Sequence, residues 1–598
     1  MGLFQSIKRE TQYLAAMRRM LGAIKNVDPA SNRLICDDLE RLCDKYSNNI
    51  AFLEDDKTMT YQQVEDYANR VANWATAEGC AAGDTVAVFL RNRLEYVAIW
   101  FGLTKVGVIP ALLNYQLTGS ALSHCINISD AKLVIVDHEM SAAWNTSKDS
   151  LTGAPRVFTA FGQSGSDSAF NDALTEFPPN RPAKIARKDI KAGDQCMKMF
   201  TSGTTGMPKA AKVTHVRAQN YMRGFAAGAK TTQKDRMLMV LPMYHATGGL
   251  CGVGAALTNG GGVIVRPKFS ASKFWDEAVD YEATLFMYVG ELCRFLSSSP
   301  PHPKEKSHKI RWALGNGLRP EVWPGFVGRF NIPNVIEFYG ATEGNVSLIS
   351  VNGPVGAVGR VPNYLKFKFN CDIIRYDVET GTNVRGSDGF CIHTENEEIG
   401  ELIGEIQIDN PRFRFDGYEN NKEATNSKIL RDVFKKGDAW FRTGDLMKHD
   451  ALGYYYFVDR VGDTYRWKAE NVATGEVAAV LSSFTGVTQA NVYGVQVPGY
   501  DGRAGMASVV SEDLPDMKAL KVHIDASLPL YARPVFLRLS KETDTTSTFK
   551  FKKTNLVKAG FNPANISEPL FYADSTSGTY KPVTKAVYDG ISDGSIRL

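Results

Sequence analysis

The 598-residue chain has no Cys-x-x-Cys pair and no cysteine–histidine spacing suited to zinc; its nine cysteines are scattered singly. That argues against a zinc-ribbon or dithiol redox protein and marks the cysteines as reduced, mostly buried thiols. Charge of one sign is also scarce. A net charge of +4 gives no bulk attraction to nucleic acid. The N-terminus lacks a continuous apolar run, so no cleavable signal peptide is expected. Two apolar stretches, residues 96–113 and 244–265, are long enough to suggest membrane spans. The first carries Lys105 and Pro110, and the second has the glycine-rich centre GVGAALTNGGG, so both are expected to be buried core. No internal repeat is present. With 44% hydrophobic and 22% charged residues, the composition is that of a soluble globular chain of several domains.

What charge there is gathers at the start. Residues 1–26 hold Lys8, Arg9, Arg18, Arg19 and Lys25 against the single acid Glu10, which equals the net charge of the whole chain. Ile7, Leu14, Met17, Leu21 and Ile24 recur at near-helical spacing. This predicts a short basic amphipathic helix that either lies on an anionic membrane or packs on its own domain. The opening MGLFQS also fits the N-myristoylation pattern, a short motif with meaning only in a eukaryotic host.

Beyond it, helical and strand-like patterns alternate. TYQQVEDYANRVANWATAEG predicts a helix with Val64, Tyr67, Val71 and Trp74 on one face, Thr60 as N-cap and Gly79 as stop. TVAVFL and LVIVD read as buried strands. Such alternation predicts an α/β fold with a mainly parallel sheet under helices. Strand-like runs continue at GGVIVRP, ATLFMYV, IRWALG and NVIEFYG. The expected organisation is a large domain over residues 27–460, with a β-rich subdomain at about 365–458. A small mobile α+β domain follows at 461–565, then a peripheral tail at 566–598.

Five segments carry chemistry. MFTSGTTGMPKAAKVTH, residues 199–215, combines small residues, hydroxyls and Lys209, which suit phosphate oxygens. Its glycine spacing is not that of a Walker A loop. GNGLR at 315–319 precedes EFYGATEGN at 337–345. There Tyr339 offers a flat face for a base, Thr342 a hydroxyl and Glu343 an oxygen ligand for Mg²⁺. FRTGDL at 441–446 offers Asp445 to a diol. DRVGDTYRWKAENV at 459–472 offers Arg460 and, in Gly462, a residue free to rotate. TSTFKFKK at 546–553 places Lys550 and Lys552 on one face if extended. Each segment alone also reads as an ordinary turn or core strand.

Together, in this order and over residues 50–560, the segments resemble the adenylate-forming superfamily. FTSGTTGMPKAA, LPMYHATGG, EFYGATEGN and GDTYRWKAENV are most similar to its fatty acid transport protein and very-long-chain acyl-CoA synthetase branch. The resemblance implies that Thr201, Ser202, Gly203, Thr204, Thr205, Gly206 and Lys209 form a loop over the β/γ-phosphates of ATP. Gly315, Asn316 and Gly317 border the adenine and Tyr339 stacks on it. Thr342 contacts the α-phosphate, Glu343 holds Mg²⁺, and Asp445 and Arg460 take the ribose hydroxyls. Lys550 bridges fatty carboxylate, α-phosphate and ribose, with Lys552 as the alternative. His245 walls an acyl pocket and Gly462 is a hinge. Two positions depart from the family pattern: Ser547 stands where close relatives tend to have Gly, and Ala469 where Gly is common.

The implied activity is ATP-dependent ligation of a long or very long fatty acid to coenzyme A through acyl-AMP, on the cytoplasmic face of a membrane and coupled to uptake. The sequence leaves two alternatives: ligation of another acid, such as a bile or branched acid, or a membrane transporter with incidental ligase activity.

Overall fold

The computed structural model describes residues 3–163, 169–201, 207–378, 380–410, 412–468, 470–500, 502–511, 513–542, 553–574 and 576–598. The chain packs as two compact units: Met1–Gly359 with Ile406–Ile429, and Arg360–Glu405 with Leu430–Leu598.

The first unit is built on two sheets. One has six strands, in the order Arg156–Ala160, Ala131–Asp137, Thr85–Phe89, Ile109–Leu112, Gln195–Thr201 and Lys209–Thr214. All its pairs are parallel except the last, a hairpin. The other has eight strands. Its parallel centre runs through Gly262–Val265, Arg236–Met239, Leu285–Val289, Trp312–Asn316 and Val335–Gly340. The sequence pattern marks these strands because parallel strands under helices are apolar on both faces: all five residues of Thr85–Phe89 are buried.

The Tyr61–Ala77 helix starts and stops where its residues require. The Thr60 side chain accepts a hydrogen bond from the Gln63 backbone, the Gln63 side chain accepts one from the Thr60 backbone, and Gly79 sits at φ +78°. Neither apolar stretch is a span. Residues 96–113 divide into the helix Tyr96–Lys105 and the strand Ile109–Leu112. Residues 244–265 hold a π-helical turn, Thr247–Gly252, the helix Val253–Leu257 and the strand Gly262–Val265. Among the described residues, no helix is long and apolar enough to cross a membrane.

Lys105 is wholly buried, with its ammonium 2.5 Å from Glu65, 2.5 Å from Asn69 and 3.3 Å from Glu40. Removing it takes a buried cation from two carboxylates that keep Arg181, at 2.7 Å from Glu65, and Arg187, at 3.0 Å from Glu40, as close cationic partners. Lys105→Met is expected to cost about 3–5 kcal/mol, read as a lower midpoint in urea unfolding. Adding Glu40→Gln and Glu65→Gln is expected to recover part of the loss.

The N-terminal segment is the helix Leu3–Ile24. It packs against the helix His215–Gly228: Met20 lies beside Gly228, and Arg19 donates to the Ala227 carbonyl. Ala16 is buried, whereas Ile7, Leu14 and Leu21 are 53%, 44% and 40% exposed. One side of the helix is therefore satisfied by the fold, and an apolar stripe faces outward.

The second unit contains an antiparallel sheet through Tyr454–Arg460, Ala439–His449, Gly400–Glu405 and Cys371–Asp377. It also contains a five-stranded sheet of Val487–Val495, Ala504–Ser511, Phe536–Ser540, Leu570–Asp574 and Thr579–Pro582. The last segment, expected to lie at the periphery, supplies two of those five strands and the helix Lys585–Ser592. Its Ser/Thr/Gly/Asp content lies largely in the turns. Between them Leu570, Tyr580 and Ile591 are buried, and the Tyr580 hydroxyl donates to the Pro534 carbonyl at 2.7 Å.

Candidate nucleotide site

The hydroxyl- and glycine-rich segment closes a hairpin. Thr201 and Lys209 are direct partners across its two strands. Ser202, Gly203, Thr204, Thr205 and Gly206 lie outside the described residues. The Lys209 ammonium stands 5.1 Å from the centroid of the Tyr418 ring, a cation–π contact.

The second group lies at the C-terminal ends of parallel strands, where open α/β sheets present ligands. Gly315 and Asn316 end the strand Trp312–Asn316, and Gly317 follows at φ +79°. The neighbouring strand Val335–Gly340 pairs Glu337 with Gly315 and carries Tyr339 two residues further on, on the same face. Close approach explains the small residues: a side chain on Gly315 would meet the Tyr288 carbonyl at 2.2 Å, and one on Gly290 would meet the Gly317 carbonyl at 1.6 Å.

Sequence reasoning passed over Glu337, which ties this group together. It accepts hydrogen bonds from the Gly317 and Leu318 backbone at 2.5 and 3.2 Å, and from the Tyr288 hydroxyl at 2.5 Å. The available signal was an acid inside an apolar strand run, NVIEFYG, because a buried carboxylate needs donors. Burial pushes its carboxyl up to about 8, against the pull of these three donors. Below 4.5, its ordinary value, the group is protonated whether the chain is folded or unfolded; between 4.5 and about 8 only the unfolded chain loses the proton. Stability therefore falls with rising pH in that window, by up to about 1.4 kcal/mol per unit from this group, and levels off above it. Glu337→Gln is expected to remove this slope. Its melting temperature relative to the wild type should rise between pH 5 and 8.5, and a constant difference would refute the assignment.

Thr342 and Glu343 follow the same strand. The Thr342 carbonyl accepts from Arg217 at 2.6 Å, and Arg217 also faces Asp416 at 3.7 Å. Glu343 Oε1 accepts from the Tyr418 hydroxyl at 2.8 Å. Its Oε2 has no hydrogen-bond partner among the described residues. Nor do the described residues contain a group of three His, Cys, Asp or Glu able to hold a metal. One carboxylate with an open oxygen fits Mg²⁺, which commonly takes one or two carboxylates and fills its other positions with phosphate and water. It does not fit a metal caged by protein alone.

The His245 ring is 4.3 Å from that of Tyr244, which in turn meets Tyr115 edge-on at 5.4 Å. The glycines after it are obligatory, since side chains at Gly248 and Gly249 would strike the carbonyls of Pro242 and Met243.

In the second unit, Asp445 and Arg460 are direct partners across two antiparallel strands, and their charged groups are 3.7 Å apart. Gly462 adopts φ +90°, with nothing within 4 Å of where a side chain would begin. The segment around it is anchored on both sides. Asp459 accepts from the Thr474 backbone and hydroxyl at 2.7 and 2.8 Å, and Lys553 pairs with Asp463 at 3.2 Å. Lys550 and Lys552 lie outside the described residues.

Comparison with known proteins fits this arrangement. A model described as "AMP-binding enzyme" matches residues 39–403, and one described as "AMP-binding enzyme C-terminal domain" matches 476–550. Mouse long-chain fatty acid transport protein 1 is 41% identical over 549 residues, covering 90% of this chain and 84% of its own length. The chain belongs to the AMP-binding enzyme family, in its long-chain fatty acid transport protein branch. Rat long-chain fatty acid transport protein 2 is 39% identical over 91% of the chain and 88% of its own length. The fold recurs in the anthranilate CoA ligase AuaEII in complex with anthranoyl-AMP, with TM-score 0.73 and 20% identity over 90% of this chain and 98% of that one. It recurs again in ATP-bound MatB from Rhodopseudomonas palustris, with TM-score 0.73 and 22% identity over 88% and 98%. The family's adenylate-forming fold therefore extends over both units.

Proposed function

We propose that this protein ligates long or very long fatty acids to coenzyme A, using ATP and forming an acyl-AMP intermediate. The observation that carries the reading is the grouping of Lys209, Thr342, Glu343 and the Gly315–Asn316–Gly317 turn in one unit of a chain about 40% identical to long-chain fatty acid transport proteins.

A carboxylate is negative and a poor electrophile, so it must be activated and its repulsion from phosphate offset. The turn at 315–317 and Tyr339 hold the adenine, and Asp445 and Arg460 hold the ribose. Residues Thr201, Ser202, Gly203, Thr204, Thr205, Gly206 and Lys209 cover the β/γ-phosphates, which leave as pyrophosphate. Thr342 orients the α-phosphate. Glu343 binds Mg²⁺, which neutralises phosphate charge. Lys550 draws the fatty carboxylate to the α-phosphorus, where it attacks in line. Acyl-AMP and pyrophosphate form. The coenzyme A thiol then loses its proton and attacks the acyl carbonyl, expelling AMP. His245 borders the acyl chain, and Gly462 lets residues 461–565 move between the two steps.

The outward stripe of Ile7, Leu14 and Leu21, with Arg18 and Lys25 exposed beside it, supports a peripheral hold on an anionic cytoplasmic leaflet, close to where fatty acids partition. Thioesters of coenzyme A do not recross a bilayer, so ligation there would draw fatty acid inward. A panel of C8 to C26 acids, assayed for pyrophosphate release with and without coenzyme A, tests the reading. Fatty-acid-dependent release that peaks at C16 or longer and is accelerated by coenzyme A supports it. Release that peaks with the shortest acids of the panel overturns the chain-length assignment.

A further inference from the structure

Two of the proposed ligand groups, Lys209 and Glu343, come from segments 134 residues apart, and one side chain outside every predicted motif touches both. Tyr418 is 6% exposed. Its hydroxyl donates to Glu343 Oε1 at 2.8 Å, and its ring lies under the Lys209 ammonium at 5.1 Å. The backbone fixes that position. Tyr418 forms an isolated antiparallel bridge with Ala211, two residues from Lys209, and its N–H donates to the Thr425 hydroxyl at 3.0 Å. Gly417 beside it takes φ +73°, where a side chain would strike Thr425 at 2.7 Å.

Among the described residues, Glu343 has no ion pair and no hydrogen bond besides the one from Tyr418, and the Lys209 ammonium has neither. Arg217, Asp416, Lys212 and Glu419 stand nearby but pair elsewhere: Arg217 with Thr342 and Asp416, and Lys212 with Glu419 at 3.5 Å. A tyrosine present only to fill space would need its ring alone. Here the hydroxyl holds one oxygen of a carboxylate and leaves the second oxygen open.

We infer that Tyr418 is a positioning residue that couples the metal carboxylate to the phosphate lysine. Its hydroxyl fixes the Glu343 rotamer for a divalent cation, and its ring face retains the Lys209 ammonium for the phosphates of the same nucleotide. This inference rests on the ligase reading above. It predicts separable effects, because the hydroxyl serves the metal and the ring serves the lysine.

The test uses the full chain and α,β-methylene-ATP, whose α–β bridge cannot be cleaved. Calorimetry measures its affinity with and without Mg²⁺, and electron paramagnetic resonance follows Mn²⁺ in the same mixtures. Tyr418→Phe is expected to raise the half-saturating Mg²⁺ or Mn²⁺ concentration about tenfold, since a hydrogen bond to a charged group is lost. Its metal-free affinity for the analogue should stay within about twofold of wild type, since the ring contact is retained. Tyr418→Leu should lower the metal-free affinity as well. On a Glu343→Gln background, Tyr418→Phe should have no further effect on the metal. Thermal melts accompany each variant. If Tyr418→Phe melts well below wild type, Lys209→Met supplies the second reading, with metal-free affinity reduced and Mn²⁺ half-saturation unchanged. Unchanged metal dependence in Tyr418→Phe, or equal loss with and without metal, overturns the inference while leaving the ligase reading intact. A wild-type chain that does not bind the analogue overturns both.

Discussion

Lys550→Ala is expected to reduce acyl-AMP formation from ATP and palmitate by about 10³-fold or more, the scale on which loss of a transition-state charge partner is felt. Thioester formation from supplied palmitoyl-AMP should stay within about threefold of wild type. The asymmetry follows from the two electrostatic problems. In the first step two anions must meet, and a cation at the reacting oxygens has its largest effect where that charge concentrates. In the second step the carbonyl is already activated and the thiol needs access, so a lysine left in place would obstruct rather than help. The measurement is pyrophosphate release for the first step and coenzyme A consumption from synthetic acyl-AMP for the second. Lys552→Ala is the internal comparison: if it, and not Lys550→Ala, silences adenylation, the role belongs two residues further along. Equal loss of both steps in Lys550→Ala would remove the residue from its assigned place.

Gly462→Pro should separate the same two steps in the opposite sense. Gly462 sits at φ +90° with open space around it, a conformation proline cannot adopt because its ring holds φ near −65°. Asp463, just after it, is held by Lys553, and the Asp459–Thr474 hydrogen bonds span the glycine, so a rotation there would have to break them. Adenylation is expected to persist within about tenfold and thioester formation to fall about 100-fold, the scale on which misplaced groups lose rate. Gly462→Ala keeps some access to positive φ and should be intermediate. Overall turnover unchanged in Gly462→Pro would show that no hinge operates there.

The legible parts of this fold were those whose cause is local. A threonine hydroxyl and a glutamine three residues on start the Tyr61–Ala77 helix, and a glycine stops it. Buried parallel strands announce themselves as apolar runs, which is why Val335–Gly340 and Trp312–Asn316 could be read before any contact was known. Segments that present backbone or small residues to a ligand are legible for the same reason, since their composition is itself the chemistry. Residues whose role comes from a distant partner were not legible. Tyr418 in FDGYEN looks like any turn tyrosine until Glu343, 75 residues away, accepts its hydrogen bond. Glu337 looks misplaced in its strand until the backbone of Gly317 and Leu318 folds over it. The last segment misled for a related reason. Its polar residues mark turns, while the buried Leu570, Tyr580 and Ile591 are too widely spaced to show a period on their own.

The central claim is that a fatty carboxylate oxygen attacks the α-phosphorus of ATP, and isotope transfer tests it most directly. Palmitate labelled with ¹⁸O in both carboxylate oxygens should be supplied with ATP and coenzyme A, and the nucleotide and phosphate products analysed by mass spectrometry. The account predicts one ¹⁸O in each AMP released, one remaining in the palmitoyl thioester and none in pyrophosphate. Label in inorganic phosphate with ADP as the nucleotide product, or unlabelled AMP alongside thioester formation, would contradict it.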